Sequence, residues 1–290
     1  MYGQRIKFRS LIDFGNPILA PACIDAFSAR MVEQAGFQVN YLTGNGASAA
    51  AIGQPDVGLM TLREVSDICR NIALVTQIPL VADVDTGYGN AINVIRTVRE
   101  MEAAGVSCIQ LEDQVTPKRC GHLPGSKPVV DTKEQLDKLR AATDTRQDPN
   151  MLILARTDAA ADHGLDEAID RANAYHEAGA DLTFIEVEGT QEELTRIGKE
   201  VSGPLVTTLD DSRREPAFSI EELGSLGFRL IIYPGIVRCT YLKAVNEVLN
   251  TLRREGSLRS VADHMATFQE YNDALSIQDI QEQEAKYLRS

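Results

Sequence analysis

The 290-residue chain predicts an α/β fold, specifically a (β/α)8 TIM-type barrel with additional C-terminal helices. Two observations carry this. Eight short apolar runs alternate with helix-patterned segments over about 250 residues, and such runs bounded by turn signals mark parallel strands buried on both faces. Polar residues then recur immediately after the runs, where barrels build their sites. A doubly wound open sheet is the competing architecture, but no GxGxxG fingerprint supports it.

The elements follow in order. Residues 17–23 read as a buried strand, and 26–36 as a helix that Gly36 stops. Residues 38–42 form a second strand running into Thr43-Gly44-Asn45-Gly46. A helix over 61–76 starts at Thr61 with Glu64 three residues on, a capping box. Strand 79–83, helix 90–104 ended by Gly105, and strand 107–111 come next. Asp131 opens a helix to Thr145, with Glu134 three residues later. Strand 151–155, helix 165–178 ended by Gly179, strand 181–185, helix 191–201 and strand 204–208 continue the alternation. A helix over 219–226, capped by Ser219 with Glu222, precedes the eighth strand, 229–233. Three further helical segments, 241–255, 260–272 and 277–288, exceed what a barrel needs. The chain therefore divides into a catalytic barrel, 1–240, and a helical extension, 241–290, that packs on the barrel or on a neighbouring subunit.

Hydrophobic residues make up 43% of the chain and charged residues 24%, which is ordinary for a soluble globular protein and ample for a large core. The formal charge of −13 argues against nucleic acid and against an anionic membrane surface. Residues 1–10 carry charges with no apolar segment after them, so no signal peptide is read. No run approaches the roughly 18 apolar residues of a membrane span. The five cysteines, Cys23, Cys69, Cys108, Cys120 and Cys239, are odd in number and lack a CxxC pair, which fits free thiols in a reducing cytoplasm. All but Cys120 sit in or beside apolar segments and are expected to be buried.

Charged and polar side chains cluster after the strands: Asp83 and Asp85, Glu112 and Asp113, Arg156 and Asp158, Glu186 and Glu188, Thr208 with Asp210 and Asp211, then Tyr233. On one rim the carboxylates would repel, and a cation is needed to hold them. Carboxylates with water in the remaining positions suit Mg²⁺, with Mn²⁺ also acceptable. His122, His163, His176 and His264 share no ligand spacing, which speaks against zinc. Arg156 beside such a site suits a carboxylate or phosphate substrate. The Gly- and Pro-punctuated loop after Asp113 sets Cys120 among Lys118, Arg119 and His122, where neighbouring positive charge favours a thiolate.

These residues resemble the isocitrate lyase/phosphoenolpyruvate mutase superfamily over nearly the whole chain. The marks are Tyr41-Leu-Thr-Gly-Asn-Gly46, Gly53-Gln-Pro-Asp56, Asp83-Val-Asp-Thr-Gly-Tyr-Gly89, Glu112-Asp-Gln114, Lys118-Arg-Cys-Gly-His122 and Ala155-Arg-Thr-Asp158. The Lys-Arg-Cys-Gly-His segment is the most specific and is similar to that of the carbon–carbon lyase branch, which includes 2-methylisocitrate lyases, 2,3-dimethylmalate lyase and oxaloacetate acetylhydrolase. The resemblance implies Mg²⁺ held directly by Asp85, with Asp56, Asp83 and Glu112 holding its waters. It implies that Thr43, Gly44 and Asn45 bind a 2-oxo-acid portion, with Gly121 and Thr208 also at the substrate. Arg156 would bind a carboxylate, and Glu186 and His122 would orient substrate. Cys120 would be the general acid/base on a mobile loop, 117–128, and Tyr41 a candidate base. A homo-oligomer, dimer or tetramer with swapped helices, would account for the C-terminal segments.

The implied reaction is cleavage of a 2-hydroxy di- or tricarboxylate into a 2-oxo acid and a second carboxylic acid. Asn45 and Thr208 stand where methylisocitrate lyases usually show Gly and Asn, and the segment 210–216 is unusually charged. Arg213 or Arg214 would supply the donor that Thr208 lacks. Within the superfamily the alternatives are oxaloacetate hydrolysis or decarboxylation, or phosphonate chemistry. Outside it stands a carboxylate-binding protein without turnover.

Overall fold

Each apolar run becomes a strand because both of its faces find apolar partners, barrel interior on one side and helices on the other. A computed structural model, which describes residues 2–14, 16–121, 123–209 and 218–288, shows the strands β1 (Ile18–Cys23), β2 (Asn40–Leu42), β3 (Leu80–Asp83), β4 (Cys108–Glu112), β5 (Leu152–Thr157), β6 (Leu182–Ile185), β7 (Leu205–Thr208) and β8 (Phe228–Tyr233). All pair in parallel and in sequence order, and β8 closes on β1. The (β/α)8 architecture and the extra C-terminal helices are as the sequence predicts.

The helices are α1 (Tyr2–Phe14), α2 (Ala26–Gln34), α3 (Gly44–Ile52), α4 (Leu62–Val75), α5 (Ala91–Ala104), α6 (Thr132–Thr145), α7 (Ala160–His163), α8 (Leu165–Glu177), α9 (Gln191–Glu200), α10 (Ile220–Ser225), α11 (Ile236–Glu255), α12 (Phe268–Ala274) and α13 (Ile277–Tyr287). Their starts follow the expected chemistry. Thr61 and Ser219 close capping boxes with Glu64 and Glu222, and Gly105 ends α5 in the left-handed region at φ 92°. Asp131 opens α6 at the N-cap position, as expected, but makes no side-chain capping bond.

Three helices were not foreseen: α1, α3 and the single turn α7. In α1, Phe8 and Ile12 bury fully among the inward side chains of the barrel, including Ile18, Val81, Leu152 and Leu230. This closes the N-terminal end of the barrel. Arg5 secures the helix by donating from Nε to the Val106 carbonyl at 2.9 Å and from Nη1 to Asp148 at 3.3 Å. The second, α3, begins Gly-Asn-Gly, a poor helix-forming sequence whose pattern reads as a loop.

At the C-terminus α11 starts at Ile236, so the helical extension grows continuously out of the last barrel helix across residue 240. The expected helix over 260–272 is two pieces, a 3-10 segment Arg259–His264 and then α12, because Thr267 and Glu270 form a new capping box. No side chain of α12 or α13 is buried, and Phe268, Tyr287 and Leu288 are largely exposed. The extension touches the barrel at α2, where Phe27 and Tyr271 stack edge-on at 5.8 Å and Gln34 Nε2 donates to the Ala274 carbonyl at 2.9 Å. Cys239, expected to be buried, is exposed; the other four cysteines are buried. No described helix is long and apolar enough to cross a membrane.

Candidate active site

Side chains alternate between the two faces of a strand, and this parity sorts the acidic pairs. At the end of β4, Glu112 is 1% exposed and lines a cavity at the mouth of the barrel. Asp113 turns the other way. Its carboxylate accepts from the Thr157 and Tyr175 hydroxyls at 2.7 and 2.8 Å, from the Asp158 amide at 2.9 Å and from Arg171 at 3.3 Å. Asp113 therefore fixes the turn after β5. Arg156, on β5 just before that turn, reaches the two Asp158 oxygens from Nε and Nη2 at 3.0 and 2.8 Å. Arg156 also meets Glu186 at 3.2 Å and Glu112 at 3.6 Å, and lies 5.1 Å over the Phe184 ring. Burial alone would lower its pKa, but Asp158, Glu186 and Glu112 outweigh this and keep it charged.

The acidic cluster forms where β3 ends. Asp83, Asp85 and Asp56 are all buried. Asp85 adopts φ 51°, a left-handed conformation that costs a non-glycine residue about 1–2 kcal/mol. Its amide donates to Asp83 Oδ1 at 3.0 Å, and its carbonyl accepts the Glu112 amide at 2.9 Å. Both bonds hold the strained residue in place. Gly44, the first residue of α3, approaches so closely that a Cβ there would lie 3.0 Å from Asp83 Oδ2 and 3.3 Å from Asp85 Oδ1. Thr43 gives α3 no side-chain cap, so the first amides of the helix have no intrahelical partner and are available to an anion. Burial, opposed by Lys118 and reinforced by Asp83 and Asp56, pushes the Asp85 carboxyl well above its usual range; burial does the same to Glu112.

The loop after β4 folds back over this cluster. Gln114 bridges to Val129 at its base, and the Gln114 side chain accepts the Arg119 amide at 2.8 Å and donates to the Arg119 carbonyl at 2.9 Å. The far end is tied by the Ser126 hydroxyl and Lys127 amide, which donate to Asp162 at 2.6 and 2.9 Å. Between these ties the Cys120 amide donates to the Asp56 carbonyl at 3.0 Å. Lys118 Nζ, 3% exposed as a residue, lies 2.7 Å from Asp56 Oδ1 and 2.8 Å from Asp85 Oδ1. Burial would lower its pKa, but Glu112, Asp85, Asp83 and Asp56 together raise it well above normal. The ammonium is thus directed at the carboxylates. The Cys120 sulfur instead accepts from Asn45 Nδ2 at 3.3 Å.

Gly121 makes this closure possible, because a Cβ there would lie 2.7 Å from Glu186 Oε1 and 2.9 Å from Arg156 Nη2. Gly121→Ala is expected to leave the thermal midpoint near wild type while lowering turnover on the order of 100-fold, the cost of displacing reacting groups by about 1 Å. Steady-state kinetics beside a melting curve would check this, and undiminished turnover would show that closure tolerates the methyl.

The cavity brings together Tyr41, Thr43, Asn45, Asp56, Asp83, Glu112, Cys120, Gly121, Arg156, Glu186 and Thr208, all singled out from sequence. Asp85 and Gly44 sit just behind it, in contact with Lys118 and Asp83 respectively. His122 lies outside the described residues, as do Asp210, Asp211, Arg213 and Arg214. Tyr41 donates to Gln110 Oε1 at 3.1 Å, and burial, with Asp83 adding, holds its phenol well above the ordinary value. It is placed to donate a hydrogen bond and is poorly suited to act as a base. Two cavity-side groups had not been given a site role: Lys118, which was read only as a neighbour of the thiol, and Arg238.

The donor set fits a hard divalent cation. Six carboxylates, Asp56, Asp83, Asp85, Glu112, Asp158 and Glu186, surround Lys118 and Arg156. Glu112 Oε1 is buried without a hydrogen-bond partner among the described residues. No three His, Cys, Asp or Glu side chains converge as direct ligands among the described residues, so a cation here would keep several waters, as Mg²⁺ does.

Residues 8–253 match the phosphoenolpyruvate phosphomutase family. The chain is 42% identical over 281 residues to the 2,3-dimethylmalate lyase of Eubacterium barkeri, covering 97% of each chain. Among solved structures it is similar to oxaloacetate acetylhydrolase in complex with 3,3-difluorooxalacetate, at TM-score 0.92 and 33% identity, covering 98% of this chain and 97% of the other. It is also similar to phosphonopyruvate hydrolase complexed with oxalate and Mg²⁺, at TM-score 0.90 and 31% identity, covering 99% of each.

Proposed function

The chain belongs to the phosphoenolpyruvate phosphomutase family, within the isocitrate lyase/phosphoenolpyruvate mutase superfamily and on its carbon–carbon lyase side, and we propose that it is a Mg²⁺-dependent lyase that cleaves a 2-hydroxy di- or tricarboxylate. The observation that carries this reading is Cys120, which the closed loop brings into one cavity with the carboxylate cluster and Arg156.

In this reading Asp85 would hold the cation directly, and Asp56, Asp83 and Glu112 would hold its waters. When bound, the cation would supply Lewis-acid chemistry that lowers the pKa of the substrate hydroxyl. The free amides at the start of α3, from Gly44 and Asn45, and the Thr43 backbone bind the emerging 2-oxo acid. Arg156, held rigid by Asp158, steadies its carboxylate, and Glu186 orients it. The hydroxyl proton leaves to a carboxylate of the cluster, since Tyr41 keeps its own. The carbon–carbon bond then breaks, and Cys120 gives its proton to the carbanion left on the departing carboxylic acid. Gly121 and Thr208 line the side where the departing fragment lies. The exposed apolar side chains of α11, α12 and α13 suit burial against further copies of the chain in a homo-oligomer.

A turnover screen with Mg²⁺ tests the proposal by following release of pyruvate, glyoxylate and oxalate. The panel comprises methylisocitrate, isocitrate, dimethylmalate, other 2-alkylmalates, oxaloacetate and phosphonopyruvate. Cleavage of a 2-hydroxy acid, abolished by a chelator, is the expected result. Turnover of oxaloacetate or phosphonopyruvate alone would move the protein to another reaction, and silence on the whole panel with oxalate still bound would favour a binding protein.

A further inference from the structure

The loop that carries Cys120 leaves β4 and returns to the same place. The Asp113 carbonyl accepts the Val130 amide at 2.8 Å, and the Val115 amide donates to the Pro128 carbonyl at 2.8 Å. The two legs of the loop therefore meet beside Asp113. The carboxylate of that residue holds the end of β5: it accepts from the Thr157 hydroxyl at 2.7 Å and from the Asp158 amide at 2.9 Å. Asp158 in turn grips Arg156 with both oxygens. One buried residue thus joins the loop of the thiol to the strand end of the guanidinium.

Arg171, on α8, pins that joint. It is buried, and Glu167, one turn earlier on the helix, accepts from its Nε at 2.8 Å and aims the guanidinium. Nη1 then donates to the Val130 carbonyl at 2.9 Å, on one leg of the loop, and to Asp113 Oδ2 at 3.3 Å. The Tyr175 hydroxyl, 3.4 Å from Nη1, donates to the same carboxylate oxygen at 2.8 Å. Asp113, Val130, Arg171 and Tyr175 do not line the cavity, so none of them meets the substrate.

We propose that Arg171 is a positioning residue for the reaction: by pinning Val130 to Asp113 it sets the Cys120 loop and Arg156 as one unit, so that an anion held by Arg156 favours the closed loop. The coupling is reciprocal, and closure of the loop tightens the hold on the anion. A lysine at 171 keeps the positive charge beside Asp113 but lacks the planar fork, so it cannot serve Glu167, Asp113 and Val130 together. The inference deepens the lyase reading above and rests on it for the role of Cys120.

The test follows alkylation of Cys120 by iodoacetamide on the full chain, read at the Cys120 peptide by mass spectrometry, with and without Mg²⁺ and oxalate. In wild type the bound anion is expected to slow alkylation about 10-fold, as local closure does. In Arg171→Lys the slowing should shrink to about 2-fold, a loss the size of one hydrogen bond. Its kcat should fall on the order of 10- to 100-fold, the cost of misplaced reacting groups, with KM changed less. A lower melting midpoint with slowing and kcat both at wild-type values would overturn the proposal, because it shows a merely structural role. Should Arg171→Lys not fold, Tyr175→Phe takes one donor from Asp113 and leaves the Val130 bond. It should lose part of the slowing, and full slowing there would equally overturn the proposal. Wild type that binds oxalate with no slowing of Cys120 would overturn the coupling and leave the lyase reading standing. Failure of wild type to bind oxalate with Mg²⁺ would bring down the lyase reading itself, and the inference with it.

Discussion

Lys118→Met should destabilise the protein by roughly 3–5 kcal/mol, the range for removing one partner of a buried ion pair. Lys118 Nζ is within 2.8 Å of both Asp56 and Asp85. Methionine keeps much of the side-chain volume and removes the charge. The carboxylates of Asp56, Asp83, Asp85 and Glu112 would then lack the cation closest to them. They must protonate, draw in water or separate, and each response opposes the closed loop. A divalent cation replaces the missing charge, so Mg²⁺ should raise the thermal midpoint of the variant more than that of wild type. Melting curves over a magnesium titration measure both effects. Equal midpoints for the two proteins, with equal gains from magnesium, would show that Lys118 is not the principal counter-ion of the cluster.

Cys120→Ser should lower kcat by about 10²- to 10⁴-fold, the usual contribution of a positioned general acid or base. A serine can still accept from Asn45 Nδ2, which now meets the sulfur at 3.3 Å, so the loop contact survives while a far weaker acid takes the place of the thiol. Affinity for Mg²⁺ and oxalate should stay at the wild-type level, because Asp85, Gly44 and Arg156 are untouched. Full activity in the serine variant would remove Cys120 from the chemistry and leave the loop as a cover only.

Much of the site was legible because parallel strands of one barrel all end on the same rim. Asp83, Glu112, Arg156, Glu186 and Thr208 are each the last inward-facing residue of their strand or the residue just beyond it, and strand-end position alone brings them to one cavity. What escaped depends on long-range packing. The apolar positions of α1 give no hint that Phe8 and Ile12 enter the barrel, because that contact exists only once the barrel is closed. Helix α3 has Gly-rich local chemistry and forms because Gly46 packs where a Cβ would lie 2.5 Å from Ile24 Cγ2. Lys118 stands two residues before the thiol, yet a buried ammonium goes to the strongest nearby negative charge, which is the carboxylate cluster. Arg238 follows the eighth strand inside an ordinary helix sequence, and only closure of β8 on β1 carries it to the mouth.

The barrel that α1 seals at its base is a blind-ended vessel, and this imposes an order on a reaction with two products. In the proposed reaction the fragment formed against Cys120 would lie under the loop, nearest the way out, and the 2-oxo acid would lie deeper, against Asp85 and the start of α3. The first must depart before the second can follow. Inhibition patterns should record this sequence: the deep product competes with substrate for the empty enzyme, and the shallow product does not.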